Sequence, residues 1–335
     1  MCKRLIIISF LIIITMGLLN ISSLAQEPKV LKLEYGGSAQ STAGLGYLRF
    51  KELVEERTKG EVKIDIFPSG VLSGGGLSGV QTGVVEMRNV VSSELMDYDP
   101  RWGIFEMPFL FLDYEAVDKI LNGDLIKNLL GEVKGANVVV LNGWFENGYR
   151  QITNNIRPIH TLADLKGMKI RVMATPLQTA IFSALGASPM AVPYEEMYSA
   201  LQTGVVDAQE NPPINIRDKS LYEVQKYLSL TGHSYYGYFT MINATVYNSF
   251  PFEIQKILKD SMMEASIYNI NLVREANEKD INFLKEKGMI VNDLTAEEKM
   301  AFVEATKSVY DKFADEIGKD FINQFLEEMG RKPLY

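Results

Sequence analysis

Cysteine is almost missing from this chain. Its 335 residues include one, Cys2, and only two histidines, His160 and His233. No disulfide can close within the chain, and zinc sites of four cysteines, or of two cysteines and two histidines, are excluded. An excess of positive charge is missing too: 34 Lys and Arg stand against 42 Asp and Glu, a net charge of −8. Wrapping nucleic acid requires a basic face that displaces counterions, so no nucleic-acid partner is expected. The signatures of common catalytic sites are absent as well. Gly74-Gly75-Gly76 is not followed by Gly-Lys-Ser/Thr, there is no His-Glu-x-x-His, and neither histidine accompanies a Gly-x-Ser-x-Gly elbow. His160 follows Pro158-Ile159 in a loop, and His233 sits in the turn Thr231-Gly232-His233. Both are expected to be structural or solvated. No catalytic residue, cofactor or metal ion is expected.

The N-terminus carries an export pattern. Lys3 and Arg4 form a positive head, Leu5 to Leu19 is apolar except for Ser9, Thr15 and Gly17, and Ser23-Leu24-Ala25 puts small residues at −3 and −1. The apolar run is shorter than the ~20 residues a membrane span needs. Residues 1–25 therefore read as a signal peptide cleaved after Ala25, giving a periplasmic protein of 310 residues and charge −10. Cys2 precedes the apolar run, which excludes a lipoprotein anchor. The mature chain then has no cysteine, so its stability must come from a large core.

Composition is otherwise globular, 47% hydrophobic and 23% charged, and the length suggests two domains. Val30 to Tyr35 alternates as a strand; Tyr47, Phe50, Leu53 and Val54 recur at helical spacing; Val62 to Ile66 alternates again. Strand, helix, strand within so short a stretch is a βαβ unit with parallel strands. Pro68 to Gly79 reads as a loop, and Val84–Val91 and Asn137–Leu141 as further strands. A second α/β block follows: a capped helix from Thr161 to Gly167, a strand over Lys169–Met173, and a helix opened by Thr175-Pro176 and closed by Gly186. A strand over Ser188–Val192, a helix over Tyr194–Thr203 and a strand over Val205–Gln209 complete it, and Tyr227–Val246 holds strands leading back out. From Pro251 to about Lys287 no glycine and no further proline occurs, which predicts a helix on the order of 50 Å lying across both domains. Thr295-Ala296-Glu297-Glu298 opens another helix as far as Gly318, and Lys319–Met329 forms a last one.

Arg171 stands out within Met168-Lys169-Ile170-Arg171-Val172-Met173, an otherwise apolar strand running into the helix start at Thr175-Pro176. A guanidinium there, at the carboxyl end of a strand and beside a helix N-terminus, is placed to hold an anion. Its planar fork grips a carboxylate through two parallel hydrogen bonds. The alternative is an edge-strand arginine with its head in water. Arg150, after Trp144-Phe145-Glu146-Asn147-Gly148-Tyr149, is either a second anion contact or the partner of Glu146. Asn211, held extended by Pro212-Pro213, either points its amide into a cleft or makes a simple turn. Trp144, Tyr194, Tyr235 and Tyr236 are candidates for an aromatic pocket wall.

Several segments together resemble the substrate-binding proteins of TRAP transporters (tripartite ATP-independent periplasmic transporters), the DctP-type family. They are Ile66-Phe67-Pro68-Ser69-Gly70, the run Trp144 to Arg150, Gly167-Met168-Lys169-Ile170-Arg171-Val172, Gly186-Ala187-Ser188-Pro189-Met190, Tyr198 to Asp207, and Gln209-Glu210-Asn211-Pro212. The resemblance implies a two-lobed α/β fold of the periplasmic-binding-protein kind, with a hinge cleft and a long helix spanning both lobes. It places 26–147 plus about 236–275 in lobe I, 148–235 plus about 276–310 in lobe II, and 311–335 in C-terminal helices. It further implies capture of a small carboxylate and delivery to TRAP membrane permease subunits, by a protein expected to be a monomer. Arg171 matches the carboxylate-clamping arginine, Arg150 a second arginine, Asn211 a polar contact and Tyr194 a cleft-wall aromatic. Ala208 replaces a glycine frequent in the family. The resemblance also implies that the loop Gly36–Thr42, with Gln40, and Ser92 and Ser93 face the far end of the ligand. Sugar acids, C4-dicarboxylates and keto acids all fit one arginine clamp, and the many Tyr, Ser, Asn and Gln candidates favour a hydroxylated acid. The rival readings are the binding protein of an ABC importer and an exported enzyme acting on a small acid.

Overall fold

The structure, a computed structural model, describes residues 27–72 and 76–335. The expected signal peptide, Cys2 and most of the triple-glycine run lie outside the described residues.

The first half of the chain builds a parallel unit. β1 (Lys29–Glu34) pairs in parallel with β2 (Val62–Phe67) on one side and β3 (Met87–Val90) on the other. Parallel neighbours require a crossover, and the helix Thr42–Arg57 provides it. Ser41 caps that helix by accepting the Gly44 N–H at 3.1 Å. Its buried face, Tyr47, Phe50, Leu53 and Val54, packs largely with Leu31, Leu33 and Ile64 of the strands. Gly46 is required where this helix crosses Phe145: a Cβ there would stand 2.6 Å from the phenyl ring. The short hairpin β4 (Gly131–Val133) and β5 (Val138–Val140) extends this sheet.

β6 (Phe145–Asn154) leaves this region and enters a second sheet. There β7 (Lys169–Val172) lies parallel between β8 (Ser188–Ala191) and β9 (Ala208–Asn211), and β9 runs antiparallel to β6. Thr175 caps the helix Pro176–Ala184, with proline at its first turn, as the sequence predicts. Two elements differ from expectation. The strand predicted over Val205–Gln209 forms over Ala208–Asn211, because that register pairs it with both β6 and β7; Val205 is left 49% exposed. The helix predicted from Tyr194 begins at Met197, which frees Tyr194 to face an open space described below.

Two strands join the sheets. β10 (Tyr227–Asn243) is 17 residues long, roughly 55 Å if extended. Its first part pairs with β6 and with β11 (Ile290–Asp293); its last part pairs with β3 and β5. Its register with β6 slips between Ser229 and Ser234 and again between Tyr236 and Gly237, and Gly232 at the first slip has φ +55°. Such bulges bend a strand without ending it.

The helix Phe252–Glu286, 35 residues, packs on Thr42–Arg57 at one end and on the helix Pro213–Asp218 at the other. Glu264 takes Arg49 and Arg57 from the first lobe, and Asp280 takes Arg217 from the second. Both lobes are thus fastened to one rod. The helix predicted over Thr295–Gly318 is two, Ala296–Ala305 and Lys307–Ile317, separated at Thr306. The second packs against both the turn Pro100–Glu106 and the helix Pro176–Ala184. No helix among the described residues is long and apolar enough to cross a membrane.

Candidate ligand-binding cleft

A cavity of about 710 Å³ lies between the lobes. One wall is Gly36, Gly37, Ser38 and Ser41 with the helix start Thr42-Ala43 and with Ser69, Gly70, Arg88 and Asn89; the other is Tyr194, Glu195, Ile214, Asn215, Asp218 and Lys219; Asn147 and Tyr238 come from the joining strands. Both lobes and the bent strands between them therefore contribute to one space.

Arg171 lies on β7 between Met190 and Gln209 and is 2% exposed. Its Nε donates to the Val192 carbonyl at 2.8 Å, and no carboxylate among the described residues pairs with its guanidinium. Burial pulls its pKa down, a tendency that Glu210 opposes and Arg150 reinforces. Arg171 is not itself part of the cavity lining, but its charge acts on Tyr194 and Glu195, which are. It does not have its head in water.

Arg150 is in the opposite state. Its Nη2 donates to Glu210 Oε1 at 2.8 Å, to the Glu210 carbonyl at 2.7 Å and to Asn211 Oδ1 at 3.1 Å, and its Nε pairs with Glu210 Oε2. The guanidinium lies 4.6 Å over the Tyr236 ring. Burial opposes the charge on Glu210, but Arg150 and His233 outweigh it and hold the carboxyl at about 2. The pair with Glu146 that the sequence allowed does not form. Four residues along a strand separate the two by roughly 13 Å, and Glu146 is held instead by Arg274 at 3.0 Å.

Asn211 is committed to this network rather than to open space: Nδ2 donates to Gln209 Oε1 at 2.6 Å while Oδ1 receives Arg150. His233, also buried, completes it, with Nε2 3.3 Å from Glu210 Oε2 and Nδ1 2.8 Å from Thr231 Oγ1. His160 lies on the surface, 3.0 Å from Glu298.

The remaining candidates scatter. Trp144 faces a different cavity, of about 300 Å³, bounded by Leu121, Ile126, Phe239, Ile267 and Arg274. Its indole stacks on Tyr235 at 5.9 Å, so this aromatic pair belongs to the back of the hinge strands. Tyr236 is buried beneath Arg150. Ser92 is buried, the Ser93 N–H donates to Glu106 at 2.9 Å, and Gln40 is exposed beside the cleft-lining Ser38 and Ser41. Of the candidates named singly, only Tyr194 lines the cleft directly; the loop Gly36–Thr42 does so through Gly36, Gly37, Ser38, Ser41 and Thr42. Arg88, Asn89, Asn147, Asn215 and Lys219 do so without having been singled out; no local pattern marks them. Glu210 was visible inside the Gln-Glu-Asn-Pro run, but nothing there announced its partner.

Comparison with known proteins decides the family. The profile described as DctP, bacterial extracellular solute-binding protein, family 7, matches residues 34–316. The chain belongs to the DctP family. The 2,3-diketo-L-gulonate-binding periplasmic protein YiaO of Escherichia coli is 35% identical over 90% of this chain and 92% of that protein. Among solved structures, a TRAP periplasmic solute-binding protein of Shewanella oneidensis with bound succinate has a TM-score of 0.84 at 30% identity, covering 90% of this chain and 99% of that one. The sugar acid binding protein DctPAm of Advenella mimigardefordensis, in complex with galactonate, reaches 0.85 at 28% identity, covering 91% and 98%. The DctP family member described here thus shares one two-lobed fold with a dicarboxylate binder and a sugar-acid binder alike. The fold alone does not choose the ligand.

Proposed function

We propose that this protein is the extracytoplasmic receptor of a TRAP transporter, and that it captures an organic acid by pairing the ligand carboxylate with Arg171. The observation that carries the reading is a guanidinium 2% exposed, with no acidic partner among the described residues, whose charge interacts with the cavity-lining Tyr194 and Glu195. A buried cation without a counter-charge is costly, and a carboxylate delivered to its fork relieves that cost. Arg150, already neutralised by Glu210, acts as support, holding Asn211 and the floor of the site in place. Closure rotates residues 26–147 with about 236–275 against 148–235 with about 276–310, about the two joining strands. The loaded receptor, a monomer, then hands the acid to membrane permease subunits without chemical turnover.

The chain enters the periplasm through its N-terminal segment, cleaved after Ala25. The family match favours an ion-gradient permease over an ATP-driven importer.

A thermal-shift screen of organic and sugar acids, followed by calorimetry, tests the reading. An acid at a hundred times its dissociation constant should stabilise the fold by roughly 2.7 kcal/mol. A screen in which acids of every class leave the melting temperature unmoved refutes the reading, and chemical conversion of a bound acid would refute the receptor role in particular.

A further inference from the structure

We propose that Glu34 selects the ligand class: by neutralising Arg88 it leaves the cleft suited to acids with one carboxylate and several hydroxyls, and disfavours dicarboxylates. The inference rests on the receptor reading above and names the ligand class of the same site.

Arg88 is the one arginine lining the cavity among the described residues, and it lies on the lobe opposite Arg171. That position would be the natural anchor for a second carboxylate. Glu34 removes it from service. The two residues are direct partners in the register of β1 and β3. Glu34 Oε2 receives Arg88 Nη1 at 2.5 Å, and Oε1 receives the Leu72 N–H. Glu34 is fully buried and Arg88 is 8% exposed, so water does not loosen the pair. A buried pair of this kind presents a dipole to the cleft rather than a net charge.

The other charges in the lining do not replace the lost cation. Lys219 lies 4.4 Å over the Tyr194 ring, on a wall that also carries Glu195 and Asp218. Apart from Ala43 and Ile214, the other side chains of the lining are neutral and hydrogen-bonding, among them Ser41, Asn89, Asn147, Asn215 and Tyr238. Amides and hydroxyls offer donors and acceptors together, as ligand hydroxyls require. A second carboxylate on the Arg88 side would be desolvated there with no free cation on that wall, Lys219 lying on the opposite one over Tyr194.

The test is calorimetry on matched pairs that differ only in the terminal group: threonate against tartrate, and galactonate against galactarate. The wild-type protein should bind the monocarboxylate of each pair at least tenfold tighter. In Glu34→Gln the Arg88 charge faces the cleft, and that preference should shrink at least tenfold, about 1.4 kcal/mol. Because Glu34→Gln leaves a buried charge and can impair folding, the double variant Glu34→Gln/Arg88→Met is measured beside it; lacking both charges, it should keep the wild-type preference. Equal or tighter dicarboxylate binding by the wild type overturns the proposal and leaves the receptor reading standing. So does an unchanged ratio in folded Glu34→Gln, or a lost preference in the double variant. Failure of all four acids and of the wider screen would instead overturn the receptor reading, and this proposal with it.

Discussion

Two arginines near one another should respond oppositely to the same substitution. Arg150→Met removes the bidentate partner of Glu210, a carboxylate with no solvent exposure. Leaving such a buried charge with only the His233 ring beside it costs up to about 3–5 kcal/mol. At roughly 2–4 °C per kcal/mol the melting temperature should fall by on the order of 10 °C. Arg171→Met removes a guanidinium that has no carboxylate partner among the described residues. It forfeits the bond to the Val192 carbonyl, about 1 kcal/mol, and recovers the cost of burying an unpaired cation. Apo stability should change by no more than about 1 kcal/mol. Binding behaves the other way round for Arg171. Truncating one side of a buried charge pair costs about 2–5 kcal/mol, which raises the dissociation constant roughly thirtyfold to several thousandfold. Arg171→Lys keeps the charge but loses the fork, and should fall between wild type and Arg171→Met. Differential scanning calorimetry of the ligand-free proteins and isothermal titration with a bound acid read both effects. Equal destabilisation by the two methionine substitutions, or unchanged affinity in Arg171→Met, refutes the assignment of roles.

The same network predicts a pH profile. Burial holds the His233 imidazole below its ordinary 6.5, so the unfolded chain binds a proton that the folded chain resists; stability therefore declines as pH falls below about 6.5. Glu210, held at about 2, adds stability that is present above about 4.3 and is lost as pH falls towards 2. Melting curves from pH 8 to pH 3 should show both slopes, and His233→Gln should flatten the upper one and, because His233 helps to hold Glu210 low, weaken the lower one in part; an identical upper slope in that variant removes His233 as its source. Packing at the hinge gives a further expectation. A Cβ on Gly237 would lie 2.1 Å from Trp144 Cε2, so Gly237→Ala should cost about 1–3 kcal/mol or more, whereas Gly36→Ala, with nothing within 4 Å, should stay within about 0.5 kcal/mol. Equal melting temperatures for these two variants would show that the indole moves aside freely.

Much of the local structure was legible in the residues themselves. Alternation marked β1 and β2, an apolar run marked β7, Thr175-Pro176 marked a helix start, and the stretch from Pro251 to Lys287 marked a rod long enough to touch both lobes. Arg171 could be noticed because a charge inside an apolar strand violates the pattern around it. These features depend on neighbours in sequence, and their physics is local: side-chain period, backbone preference and capping. The rest depended on register and on partners far along the chain. Glu210 is 60 positions from Arg150, and Glu34 is 54 from Arg88. The sequence made Trp144 a candidate for the pocket wall; it did not say on which side of the hinge strands the indole would lie. Only the packed structure decides which of two similar arginines is already neutralised by a carboxylate and which has no acidic partner among the described residues, because charge pairing is fixed by the three-dimensional meeting of strands.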